Sequence, residues 1–166
     1  MSMRVDTSSF PVGINIDYES PEEIAELAEL EAEAWVFMGG YHRTPPIESL
    51  VLAFGIGTIL GLFLLRFAPG GKPEDAERWV VVGNLPSMHF ETDDMQTPEL
   101  ALRLYCAIAQ DWADNVLEGR DLSDSYPIPV APTREHAENL LGRVEFIREK
   151  LIPLARAPDA PGLQVH

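Results

Sequence analysis

Seventeen consecutive positions between Glu48 and Arg66 carry no charged side chain, and LVLAFGIGTILGLFLL lies at their heart. As a single helix, the 16 residues from Leu50 to Leu65 would reach about 24 Å, short of the roughly 30 Å hydrocarbon core of a bilayer. Gly55, Gly57 and Gly61 interrupt the run. Each costs on the order of 1 kcal/mol against alanine in a water-exposed helix. In lipid, Gly57 and Gly61 would form a GxxxG packing face, which supports an alternative reading as a single-pass membrane protein with its span near 49–67. The reading preferred here splits the run. Thr44 caps a short helix opened by Pro45 and Pro46 and carrying Ile47, Leu50, Val51 and Phe54. The glycines end it, and 58–67 forms a strand. Ile59, Gly61, Phe63, Leu65 and Phe67 share one face of that strand; Leu60, Leu62, Leu64 and Arg66 share the other. Apolar residues on both faces suit a central strand covered on both sides.

Ala68 to Arg78 is rich in turn formers and charge and reads as a loop. Trp79 to Val82 favours a pleated surface and stops at Gly83, Asn84 and Pro86. The two runs predict a hairpin, and Met88–Glu91 and Val12–Ile16 are candidates for further strands. Ser20, Pro21 and Glu23 signal the start of a helix that runs to about Met38 and stops at Gly39-Gly40. Its expected buried stripe is Ile24, Leu27, Ala28, Ala34, Trp35 and Met38. Thr97-Pro98-Glu99 repeats the start signal, with helical spacing to Gly119. Asp121 to Pro132 is a connector. Thr133 caps a last helix with Ala137, Leu140, Leu141, Val144, Ile147 and Leu151 on one face, and Pro153 is expected to end it. The fold class that follows is α+β: a small antiparallel sheet, its central hairpin at about 58–67 and 79–83, packed with three or four helices. One domain over 1–166 is expected, with a mobile N-terminus (about 1–10) and a proline-rich tail (about 155–166).

Charge sharpens the picture. The formal net charge is −15. From Val5 to His42 there are nine acidic residues and no lysine or arginine. Phosphate binding needs a basic patch, so nucleic acid and anionic membrane surfaces are poor partners. A basic protein would be steered to such a face. The single cysteine, Cys106, allows no intramolecular disulfide. The first twenty residues lack the basic start and apolar stretch of a secretory signal, and a cytoplasmic location fits.

The densest polar cluster is His89, Glu91, Asp93 and Asp94. If 88–91 is extended, His89 and Glu91 point to one side, and an imidazole with carboxylates can hold a divalent ion. A metal-dependent hydrolase is therefore one alternative. Against it stand exposed strand-edge residues and aspartates that simply form a turn. There is no H-E-x-x-H, G-x-S-x-G or G-x-x-x-x-G-K, and one cysteine excludes the usual zinc-deaminase ligand set. Gly55-Ile-Gly57 lacks the third glycine of a dinucleotide loop. No cofactor is implied.

Trp79-Val-Val-Val-Gly-Asn-Leu-Pro86, Thr92-Asp-Asp94 and Thr97-Pro98 with Leu102, Tyr105 and Trp112 resemble a group of small bacterial proteins. In that group a strand ends in V-G-(D/N)-L-P and is followed by a TDD segment and two helices. The resemblance continues through Pro132-Thr133 to Phe146-Ile147-Arg148. It implies a soluble α+β domain and assigns no activity or site residue. The functional expectation from the residues themselves is a non-enzymatic, acidic, protein-binding module of an immunity-type or regulatory adaptor kind. Glu22, Glu26, Glu29 and Glu33 form its docking face.

Overall fold

The computed structural model describes residue 5 and residues 21–39, 46–70 and 76–156. Helix α1 (Pro21–Gly39) precedes four strands, β1 (Ile47–Ile56), β2 (Leu60–Phe67), β3 (Glu77–Gly83) and β4 (Met88–Glu91). Helices α2 (Pro98–Leu117) and α3 (Arg134–Phe146) follow, then a π-turn (Ile147–Leu151) that runs into α4 (Ile152–Arg156). The strands form one antiparallel sheet in the order β1-β2-β3-β4. This is the α+β class the sequence predicts, with the hairpin of β2 and β3 at its centre.

Strand β2 explains the layering. Leu60, Leu62 and Leu64 join Trp79, Val81, Met88 and Phe90 in a core shared with α2 and α3. Phe63, Leu65 and Phe67 join Val80 and Val82 in a second core under α1. Leu60, Leu62, Phe63, Leu64 and Leu65 are fully buried. The alternation read from sequence is therefore right, and both faces are apolar because helices cover both. Ile59 is the exception, an exposed turn residue just before the strand. No helix among the described residues is long and apolar enough to cross a membrane.

The first half of the apolar run departs from expectation. Residues 47–56 form strand β1, not a short helix. Its pairing with β2 slips between Ile47 and Ser49 and again between Leu52 and Phe54. Each slip places an extra residue in the strand and breaks the period of two. As a result Ile47, Leu50, Val51 and Phe54 recur at three, four and seven, the spacing of a helix. Ile47 and Leu50 pack toward α1, whereas Val51 and Phe54 pack toward α2. Thr44, Pro45, Ser20 and the candidate strand Val12–Ile16 lie outside the described residues.

Local signals hold for the later helices. The Thr97 hydroxyl accepts from the Leu100 N–H, and the Thr133 hydroxyl accepts from the His136 N–H. Pro153 does not end the last helix. The N–H of Ile152 reaches back to the Ile147 carbonyl, and this wider turn lets the proline enter α4. Leu151, Ile152 and Ala155 stay buried across the junction. Buried polar atoms find partners: Trp79 Nε1 donates to the Met95 carbonyl at 2.6 Å and the Tyr105 hydroxyl to the Pro86 carbonyl at 2.7 Å. Cys106 is a buried free thiol, pushed up to about 11 by burial.

Candidate functional site

Helix α1 sits on the sheet through Leu27, Leu30, Ala34 and Met38. These recur at three, four and four, one stripe of an α-helix. The stripe differs from the expected one. Leu30 belongs to it, Ile24 and Ala28 are only half-buried at its margin, and Trp35 is outside it: Trp35 is 42% exposed, and Val36 beside it is 80% exposed. Trp35 is one residue past Ala34, about 100° around the helix, so it cannot share a narrow seam with Leu27 and Met38. Trp79 and Trp112, in contrast, are buried as expected.

Seating that stripe turns the glutamates outward. Glu22, Glu29 and Glu33 are exposed, and Glu26 is half-buried. A carboxylate oxygen of Glu26 lies 3.7 Å from where a Cβ on Gly57 would stand, so this side chain leans over the β1–β2 turn. Their spacing of four, three and four puts all four on one flank. Among the described residues none of the four is in an ion pair. The helix contains no lysine, arginine or histidine. Ala25 and Ala32 are exposed with Trp35 and Val36, so the acidic flank borders an exposed apolar strip.

The polar cluster of β4 has a different setting. His89 lies opposite Val80 and therefore faces α1, where its ring meets Phe37 edge-on at 5.8 Å. Arg78 donates from Nε to His89 Nδ1 at 2.8 Å. That contact uses the lone pair a metal ion would take on that nitrogen, and it places a positive charge beside it. Glu91 is exposed opposite Arg78, and exposed Asp93 and Asp94 occupy a turn closed by the Met95 N–H on the Thr92 carbonyl. Among the described residues no three His, Cys, Asp or Glu side chains are close enough to share a metal ion. Facing outward at the sheet edge, the His89 backbone N–H donates to the Tyr126 hydroxyl, which in turn donates to the His89 carbonyl. The connector thus covers the free edge of β4.

Burial, and then the Arg78 charge, lowers His89 from 6.5 to about 4. The unfolded chain takes up a proton near 6.5 that the folded imidazole refuses until about 4. Stability contributed by neutral His89 is therefore complete above that window and falls as pH drops through it. A H89Q variant, whose side-chain oxygen can still accept from Arg78, is expected to lose less stability between pH about 7 and about 5 than the parent, read as urea midpoints.

No family model matches this chain, and neither a curated protein nor a solved structure is significantly similar to it.

Proposed function

We propose that this protein is a binding module that docks a basic protein surface on α1. Trp35 is the apolar anchor, and Glu22, Glu26, Glu29 and Glu33 form the charged border. The observation that carries this reading is the combination on one helix: four carboxylates without ion pairs among the described residues, beside a half-exposed indole. Interface hot spots are enriched in tryptophan and surrounded by a polar rim. A row of like charge steers an oppositely charged partner and rejects acidic ones. Such a surface suits an immunity-type or regulatory adaptor role, in which binding itself is the activity.

Immobilised full-length protein, exposed to native lysate at low and high salt, tests the reading when three forms are compared. Parent protein should retain a partner at low salt and release it at high salt. W35A should weaken that same partner by about 30-fold, the ratio for a hot-spot loss of about 2 kcal/mol. E22K/E29K/E33K should abolish capture at low salt. A partner held equally by all three forms, or indifferent to salt, places the interface elsewhere.

A further inference from the structure

We propose that the cleft between the β3–β4 turn and α3 binds a small organic carboxylate with a short apolar body. The cleft has a volume of about 420 Å³, within the roughly 300–1,000 Å³ usual for small-molecule sites. Among the described residues its polar side chains are Asn84 and Ser87 from the turn and His136, Asn139 and Arg143 from α3. Leu85, Pro86, Val130 and the buried Leu140 supply its apolar wall. Among the described residues no aspartate or glutamate lines it, in a chain with 27 acidic residues against 12 basic ones.

Arg143 is exposed and forms no ion pair among the described residues. The nearby α3 pair, Arg134 with Glu138 at 3.2 Å, satisfies itself. Guanidinium is the side chain best shaped to grip a carboxylate through two parallel hydrogen bonds. His136 Nδ1 lies 2.8 Å from the Ala131 carbonyl, which can only accept. The proton therefore sits on Nδ1, and Nε2 is the atom left for a ligand. Two amide side chains add neutral donors and acceptors. One fixed positive charge matches a carboxylate better than a phosphate dianion, and half the wall is apolar, which calls for a hydrocarbon body. Three separated segments build this wall, so the site exists only after the connector has crossed back over the turn. α3 belongs to the layer on the opposite side of the sheet from α1, so the two surfaces are independent.

Titration of isotope-labelled full-length protein with hexanoate, followed by backbone and side-chain amide NMR, tests the assignment. Hexanoate should give saturable shifts at Ser87, His136 and Asn139. Hexanol and inorganic phosphate should each bind at least about tenfold more weakly, because one lacks the charge and the other the apolar body. R143Q replaces an exposed side chain, and its spectrum elsewhere reports that it folds. It should weaken hexanoate by about tenfold or more, and N84A by less. W35A should bind hexanoate as the parent does, which separates this site from the α1 surface. Absence of saturable shifts at these residues overturns the proposal. So does equal binding of hexanol or phosphate, or unchanged hexanoate affinity in R143Q.

Discussion

Alanine at position 83 is expected to lower the unfolding free energy by about 3 to 5 kcal/mol, from backbone strain and overpacking together. Gly83 closes β3 at φ +135°, in a region that side chains rarely adopt. A Cβ there would stand 2.4 Å from the Ile59 carbonyl oxygen and 2.9 Å from Leu60 Cα. Both obstacles are backbone, held in place because Leu60 pairs with Gly83 and the Asn84 N–H donates to that same Ile59 oxygen at 3.0 Å. Neither can swing aside as a side-chain tip would. The loss corresponds to roughly 10 °C in melting temperature for a chain of this size. Gly119 is the internal control: its φ is +69° but nothing lies within 4 Å of its missing Cβ. Alanine there should cost only about 1 kcal/mol. Urea denaturation of both variants decides the matter, and a G83A protein as stable as G119A would contradict the close approach of the two turns. Because Asn84 to Ser87 line the cleft, G83A should also weaken hexanoate binding.

The second large effect lies at the other end of the same hairpin. Glu77 is only 3% exposed, yet it carries a carboxylate. Arg66, its register partner on β2, donates from Nε at 2.8 Å, and the Val5 N–H donates to the other oxygen at 3.0 Å. Arg66 also donates to the Val5 carbonyl at 2.9 Å, so one ion pair holds a residue 61 positions away in sequence. R66A takes the guanidinium away from the buried carboxylate and should cost about 3 kcal/mol, the low end for a broken buried pair because Arg66 keeps 20% exposure. Replacing both residues with leucine should cost less than R66A alone, since no charge is then left buried. The cycle, measured by urea unfolding, should show a coupling above about 1 kcal/mol. Additive single losses would mean that the two side chains do not depend on each other.

Legibility from sequence followed the kind of signal. Short-range rules were reliable where one residue decides the outcome, as with Thr97 and Thr133 at helix starts and Gly83 at a strand end. The central hairpin was readable because valine runs and apolar alternation both demand a strand. β1 was misread because two bulges gave its apolar residues the period of a helix. A bulge is set by pairing with β2, and no local propensity announces it. Pro153 misled for a related reason: the π-turn that admits it is stabilised by burial of Ile147, Leu151 and Ile152, not by local preference. On α1 the acidic row was plain in the sequence, but the exposed indole was not, because Trp35 counts as apolar until the packing partner fixes which residues face inward.

What the chain order alone determined was which stretches must leave water and which must stay in it: a two-sided strand at 60–65, an amphipathic α1, and an acidic first quarter. Those outcomes follow from side-chain chemistry repeated at a fixed period, and a period survives any arrangement of neighbours. Tertiary structure alone decided where distant segments meet. It joined Asn84 to Arg143 in a cleft, paired His89 with Arg78, pinned Val5 to Glu77 and left Trp35 uncovered. Each of these depends on positions far apart in the chain being brought within a few ångströms, and that proximity is fixed by the closing of the whole core, which no local window contains.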